Sequence, residues 1–204
     1  KSLSEADRKK WNARYEEGAY VTRQHPSELL VDRLPGLILP ESGGRSIDVA
    51  CGSGRNSLYL ARKGWHVDAV DISETALEQL DAKARAAGLS IAGINRDLEQ
   101  DLDVATDFLV ADSYDLAIMF RYAHSALVEP LSGALKPGGY LIVESHLVTD
   151  ADVVGPRGTR HRLTPGELRA AASGLDVLVY TEGIVLDPDG RSAAIARLVA
   201  RRPA

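Results

Sequence analysis

Two acidic residues flank a glycine turn in the first half of the chain. Asp48 lies in an apolar segment just before Gly52 and Gly54, and Asp71 ends the next apolar segment at residues 66–71. Glycines let the backbone approach a ligand, and a carboxylate at the end of the second strand offers two acceptors to a ribose diol. The spacing therefore predicts a nucleotide-type cofactor site formed by a strand, a glycine turn, a helix and a second strand.

The residues around this turn disfavour a dinucleotide. The third position of a G-x-G-x-x-G fingerprint requires Gly or Ala, and this chain has Ser57 there. The negative charge of Asp48 would repel a phosphate, whereas it suits a ligand that carries an ammonium group. These residues therefore disfavour the alternative function of an NAD-dependent oxidoreductase. Tight binding of NADH would support that alternative.

Strands and helices alternate from Arg45 onward, a pattern that predicts a parallel sheet with helices on both faces. We expect strands at residues 45–50, 66–71, 91–95, 114–120 and 140–145, with a turn at 136–139. A later helix should start at Pro165 with Thr164 as its cap, and the turn at 187–190 predicts a closing hairpin. The predicted fold class is α/β: a Rossmann-like seven-stranded, mostly parallel sheet with helices on both faces and a C-terminal antiparallel hairpin.

The length and composition favour one domain. A chain of 204 residues with 45% hydrophobic residues can fill a single core. Within one domain spanning 1–204, we expect an N-terminal helical cap (1–44), a cofactor-binding core (45–145) and an acceptor-side loop, helix and terminal hairpin (146–204). The cap should contain a helix from about Ser4 and a second one at residues 28–34.

The charge and the composition also narrow the possible partners. The net charge of −5 disfavours nucleic acid and acidic membrane surfaces, and the single cysteine excludes an internal disulfide framework and a Cys-rich metal site. No apolar run approaches a membrane span, and the N-terminus has no apolar signal region. We therefore expect a cytoplasmic protein that has no metal site and does not bind a membrane.

Four motifs in order resemble the class I S-adenosylmethionine-dependent methyltransferases. They are the glycine turn at residues 48–54, with Ala50 where the first glycine is commoner, the acid Asp71, the segment 95–98 and the turn 135–140. A narrower resemblance to the tellurite-resistance-like methyltransferase group lies in residues 11–15, 50–56 and 165–168. That group's tellurite-handling branch carries basic residues on the strand leading into the final hairpin, where residues 184–186 are apolar here. Arg191 alone corresponds to a basic position after the turn, so the resemblance does not favour tellurite chemistry.

The resemblance implies S-adenosyl-L-methionine as cofactor and S-adenosyl-L-homocysteine as product. It implies that Asp71 binds the ribose and that Asp97 accepts a hydrogen bond from the adenine amino group. It also implies that the N-terminal helix closes over the cofactor. The cofactor-binding residues it implies are Trp11, Arg14, Tyr15, Asp48, Ala50, Gly52, Gly54, Asn56, Asp71, Ile72, Asp97, Leu98 and Phe120.

The function expected is methyl transfer to a small-molecule acceptor by in-line displacement, for which the protein mainly orients the reactants. Candidate catalytic residues follow the fourth strand: Arg121 to orient an anionic acceptor, and Tyr122 or His124 to shape or deprotonate it. The loop 153–163, with Arg157, Arg160 and Arg162, is either a lid or a solvated surface. The alternative function is a non-catalytic S-adenosylmethionine-binding regulatory module. The sequence names neither the accepting atom nor the oligomeric state.

Overall fold

The computed structural model describes residues 3–18, 20–40 and 43–204, with side chains from residue 5 onward. The first helix starts at Leu3, next to the start expected at about Ser4. The side chain of Ser4 and residues 41–42, before the first strand, lie outside the described part of the chain. Contacts divide the chain into two compact units, Lys1–Leu109 and Val110–Ala204. The predicted single domain, with boundaries at residues 44 and 145, stays a prediction.

The first unit is a parallel α/β unit. It contains α1 (Leu3–Glu16), α2 (Glu28–Arg33), β1 (Arg45–Val49), α3 (Arg55–Arg62), β2 (His66–Asp71), α4 (Glu74–Ala86), β3 (Ile91–Asn95) and the short α5 (Leu102–Ala105). The strand order is β3-β2-β1, and all pairs are parallel. Asp71 is in register with Asn95, so both residues lie at the carboxyl end of their strands.

Local sequence explains where these elements begin. α4 begins after Ser73, whose hydroxyl accepts from the Ala76 amide at 3.1 Å, as an N-cap should. α3 begins after Gly54, which has a left-handed conformation with φ of 81°. Between the strands and these helices lies an apolar cluster of Leu58, Ala69, Leu80 and Ala84.

The second unit contains the remaining strands. Its elements are β4 (Tyr114–Phe120), α6 (Val128–Ala134), β5 (Leu135–His146), α7 (Glu167–Ala171), β6 (Asp176–Leu186) and β7 (Ser192–Arg201). The order is β4-β5-β7-β6; β4 and β5 are parallel, whereas β7 is antiparallel to both neighbours. The residues from Leu116 to Phe120 form a continuous apolar run and are all buried, as is typical of a strand covered on both faces.

The fold class predicted from the sequence is confirmed, with seven strands in a mostly parallel sheet and an antiparallel hairpin at the end. Two elements start more than one residue away from the predicted position. β5 begins at Leu135 and takes in the predicted turn, because its register with β4 jumps from Tyr114↔Leu135 to Leu116↔Tyr140. α7 begins at Glu167 instead of Pro165, because Gly166 has a left-handed φ of 82° that a helix cannot continue.

No described helix combines the length and the apolar character that a membrane span requires.

Candidate functional site

The turn after β1 exposes its backbone through three left-handed residues. Ala50, Gly52 and Gly54 have φ angles of 56°, 55° and 81°. Ala50 adopts this conformation in spite of its Cβ, at a cost of roughly 1–2 kcal/mol, which explains why glycine is the commoner residue there. A Cβ on Gly52 would collide with the Tyr15 hydroxyl, and one on Gly54 would collide with Leu80. Glycine is therefore required at both later positions.

Asp71 holds the glycine turn against the end of β2. Its Oδ2 accepts from the Gly52 amide at 2.8 Å, and its Oδ1 accepts from the Ser73 amide at 2.9 Å. Burial raises the pKa of this carboxyl, and the hydrogen bonds from the Ser73 and Gly52 amides oppose that shift. Each carboxylate oxygen can accept a second hydrogen bond, so Asp71 retains acceptors for a ligand diol.

Asp48 is buried inside the unit and has a partner in α3. The Ser57 hydroxyl donates to Asp48 Oδ2 at 2.6 Å, and both side chains are almost fully buried. Burial raises the pKa of Asp48 to about 7, against hydrogen bonds from Ser57 and the charge of Arg55. Ser57, which argued against a dinucleotide at the sequence level, thus has a structural role that the sequence did not show. The expected contact of Asp48 with an ammonium group stays a prediction.

The raised pKa of Asp48 predicts a pH-dependent stability. The carboxyl titrates near 3.9 in the unfolded chain and at about 7 in the folded protein, so between these values only the folded state retains the proton. Stability should therefore fall as pH rises through this window. Between pH 5 and pH 8, wild type should lose on the order of 3 kcal/mol more than Asp48→Asn in chemical denaturation. An Asp81→Asn control should follow wild type, and parallel curves for Asp48→Asn and wild type would contradict the assignment.

Asp97 follows β3 and has one carboxylate oxygen without a hydrogen-bond partner among the described residues. Asp97 Oδ1 accepts from the Glu99 amide at 2.9 Å, whereas its Oδ2 is buried without a hydrogen-bond partner among the described residues. Leu98, the next residue, is buried too. The Asn95 side-chain amide donates to the carbonyl of Ile72 at 2.9 Å and so joins the ends of β2 and β3. An unsatisfied buried acceptor is costly, which makes Asp97 Oδ2 the best candidate for a ligand contact.

Helix α1 places Tyr15 over the glycine turn. Tyr15 is buried over Gly52; burial and then the charge of Asp71 raise the pKa of its hydroxyl. The guanidinium of Arg14 stacks on the rings of Trp11, at 5.3 Å, and Tyr20, at 5.6 Å. The expected contacts of Trp11 and Arg14 with a cofactor stay predictions.

Polar contacts hold α1 on α4. The Ser73 hydroxyl donates to Asn12 Oδ1 at 2.8 Å, and the Gln79 amide donates to the Tyr15 carbonyl at 3.1 Å. Asn56 serves another contact, because its side-chain oxygen accepts from the Ser27 amide at 2.9 Å and joins α3 to α2. Sequence reasoning missed the role of Asn12, although it lies inside the quoted 11–15 motif.

Arg121 in the second unit is held by two buried acids. It follows Phe120, the buried last residue of β4, and has a left-handed φ of 61°. Its Nε donates to Glu144 Oε1 at 2.7 Å and its Nη2 to Asp187 Oδ1 at 2.6 Å. Burial opposes the charge, but Glu144 and Asp187 outweigh it and raise the pKa of Arg121. Arg121 therefore has an internal role, and its expected contact with an anionic acceptor stays a prediction.

Tyr122 and His124 lie side by side after β4. Their ring centroids are 5.9 Å apart, and the Tyr122 carbonyl accepts from the Ser145 hydroxyl at 3.2 Å. His124 is half-buried and precedes a 3-10 turn at Ser125–Leu127. Their predicted part in shaping or deprotonating the acceptor stays a prediction.

The loop 153–163 is fixed to the second unit at both ends. The Val154 amide donates to the Ser192 carbonyl at 2.9 Å, and the Leu163 amide donates to the His146 carbonyl at 2.8 Å. Arg162 donates to the carbonyls of Leu147 at 2.7 Å and Pro156 at 2.9 Å. Any lid motion is thus limited to the segment between these anchors. Among the described residues, no group of His, Cys, Asp and Glu could hold a metal ion.

Solved structures with the same architecture define the class. TehB from Haemophilus influenzae matches with a TM-score of 0.70 and 22% identity, covering 93% of this chain and 66% of that chain. An S-adenosylmethionine-dependent methyltransferase from Mesorhizobium loti matches with a TM-score of 0.62 and 24% identity, covering 86% and 99%. The fold is that of the class I S-adenosylmethionine-dependent methyltransferases.

The family follows from sequence. The profile of the family described as tellurite resistance protein TehB matches residues 25–187, and the chain belongs to this family. Both resemblances expected from the motifs are thereby confirmed, and they imply S-adenosylmethionine as the cofactor.

Two curated methyltransferases match about half of this chain. The ubiquinone biosynthesis O-methyltransferase of Xylella fastidiosa is 36% identical over 114 residues, which cover 52% of this chain and 44% of that protein. The ribosomal protein L11 methyltransferase of Campylobacter concisus is 32% identical over 111 residues, which cover 52% and 36%. The chain spans about half the length of the curated relatives that it matches.

Proposed function

We propose that the protein is an S-adenosylmethionine-dependent methyltransferase that transfers a methyl group to a small-molecule acceptor by in-line displacement. The observation that carries this proposal is the buried Oδ2 of Asp97, which has no hydrogen-bond partner among the residues that the structure describes and lies in the same unit as the Gly52–Asp71 contact. An adenine nucleoside has hydrogen-bond donors for both carboxylates: its exocyclic amino group can donate to Asp97, and its ribose diol can donate to Asp71.

The residues of the first unit fit the remaining parts of this cofactor. The left-handed turn at Ala50, Gly52 and Gly54 leaves room for close approach to the backbone. Asp48 supplies a negative charge for an ammonium group when it is ionised, and Tyr15 covers the turn from α1. We propose that Ile72 and Leu98 contribute apolar contacts to the nucleoside, with Trp11, Arg14 and Asn56 also in the cofactor site. The contact expected for Phe120 from the sequence stays a prediction.

When bound, the cofactor supplies a sulfonium methyl group and its own leaving group, so the chain needs neither a nucleophile nor a metal to activate it. The contribution of the protein is orientation, which can be worth roughly 7–11 kcal/mol. We propose that Tyr122 shapes the acceptor and that His124 takes its proton where it has one, because histidine titrates near neutral pH.

A small molecule is the acceptor that we favour. The relatives named above include a ubiquinone biosynthesis enzyme and a ribosomal protein methyltransferase, so methyl acceptors of both sizes occur among them. The net charge of −5 disfavours a nucleic-acid acceptor. Ile184 and Leu186, before the hairpin turn, are apolar and exposed and offer no cation to tellurite. We also expect a cytoplasmic location.

Calorimetric titration tests this function. We expect S-adenosylhomocysteine to bind with micromolar affinity and NADH to bind far more weakly. Radiolabelled methyl transfer to a panel of small-molecule acceptors then follows. No binding of S-adenosylhomocysteine would contradict the proposal, tight NADH binding would favour an oxidoreductase, and cofactor binding with no transfer to any acceptor would favour a regulatory module.

A further inference from the structure

Arg197 on β7 has a guanidinium group that one hydrogen bond holds in place while its two terminal nitrogens make none among the described residues. It is in register with Glu144 on β5 and with Thr181 on β6. Its Nε donates to Glu144 Oε2 at 2.8 Å, and this is the only hydrogen bond or ion pair of the side chain among the described residues. The side chain is 24% exposed. Both terminal nitrogens therefore remain available to a ligand.

The two neighbouring acids, Glu144 and Asp187, both pair with Arg121. Glu144 Oε1 accepts from Arg121 at 2.7 Å while Oε2 accepts from Arg197, so each of its oxygens has a guanidinium partner. Asp187 receives both Nη atoms of Arg121, at 2.6 and 3.4 Å. The buried carboxylate of Glu144 thus fixes the direction of the Arg197 fork and leaves its outer edge open.

Arg162 places a third guanidinium on the segment that follows β5. It donates to the carbonyls of Leu147 and Pro156, and no carboxylate pairs with it among the described residues. Arg121 and Arg197 are matched by the two carboxylates of Glu144 and Asp187, so the charge of Arg162 is not balanced by an ion pair within the described part of the chain. Such a cation favours a small anion in its vicinity.

We propose that Arg197 binds the carboxylate or a similar planar oxyanion of the methyl acceptor, which makes the acceptor a small anionic molecule. Arg121 is then a positioning residue that holds Glu144, and not the anion-binding residue that the sequence indicated. Two features support this: a guanidinium binds such groups bidentately, and Arg197 lies opposite the carboxyl end of β5, the edge at which open α/β sheets bind ligands. The identity of the anion as an acceptor rests on the proposed function.

Binding of benzoate, with benzamide as its neutral isostere, tests the site. In NMR titrations of the whole chain we expect benzoate to bind with millimolar affinity and to shift resonances around Arg197, and benzamide not to bind. Arg197→Gln should weaken benzoate binding at least about 10-fold, since it removes the charged donors that hold the carboxylate. Arg197→Lys, which keeps the charge and loses the fork, should lie between.

Arg191→Gln is the matched control, because it removes the same charge from the same hairpin at an exposed ion pair with Asp189. It should bind benzoate like wild type. Equal benzoate affinity in Arg197→Gln, equal binding of benzamide, or no binding to wild type would each overturn the proposal. S-adenosylhomocysteine affinity, measured on the same samples, reports separately on the proposed function, and unfolding curves separate a loss of fold from a loss of the anion contact.

Discussion

Replacement of Arg121 by glutamine should lower the free energy of unfolding by about 3–5 kcal/mol, the usual cost of removing one partner from a buried ion pair. The glutamine would leave Glu144 and Asp187, which are 2% and 7% exposed, without their shared guanidinium. Arg197 would remain on Glu144, but Asp187 would lose the strongest of its described contacts. The melting temperature should fall by roughly 6–20 °C.

Chemical denaturation of Arg121→Gln and Arg191→Gln side by side measures this effect. Arg191 pairs with Asp189 at the surface, where an ion pair contributes only about 0–1 kcal/mol, so its variant should stay close to wild type. A loss of less than about 1 kcal/mol in the free energy of unfolding of Arg121→Gln would contradict a stabilising role for the ion pairs among Arg121, Arg197, Glu144 and Asp187.

Asp71→Asn should reduce the affinity for S-adenosylhomocysteine by at least about 100-fold. Two hydrogen bonds from a ribose diol to a carboxylate contribute roughly 1.5–3 kcal/mol each. The amide also places a donor against the Gly52 or Ser73 amide, both of which donate to Asp71 in wild type. The glycine turn would therefore lose its anchor as well as its ligand acceptors.

Asp81→Asn provides the matched control for this substitution. Asp81 lies on α4, is about half exposed and pairs with Arg85, so the same chemical change occurs away from the turn. Its calorimetric affinity should equal that of wild type. Wild-type affinity in Asp71→Asn, with its fold verified by circular dichroism, would remove Asp71 from the cofactor site.

The sequence predicted those features that local patterns encode. The bounds of β2, β3 and β4 agree with the strands expected at residues 66–71, 91–95 and 114–120. The glycine turn and Asp71 were also found, because both depend on residues close to one another in the chain. Short patterns of this kind carry the information that fixes a single element.

Contacts between distant residues were not predicted. Arg121 and Asp187 are 66 residues apart, and no pattern in either segment indicates their pairing. The Asp48–Ser57 hydrogen bond depends on how α3 packs on β1, although only nine residues separate the two. The early start of β5 likewise follows from its pairing with β4 and not from its own Lys-Pro-Gly-Gly segment, which is typical of a turn.

The most direct test of a nucleoside site at Asp97 is a comparison of S-adenosylhomocysteine with its inosine analogue, in wild type and Asp97→Asn. The side-chain oxygen of the substituted asparagine could still accept from Glu99, while its amide would turn the unpartnered Oδ2 position from an acceptor into a donor. In calorimetric titrations we expect the variant to lose about 10- to 150-fold in affinity for the adenine ligand and to recover affinity for the inosine ligand, whose oxygen accepts where adenine donates. Equal preference for adenine in both proteins would contradict this account.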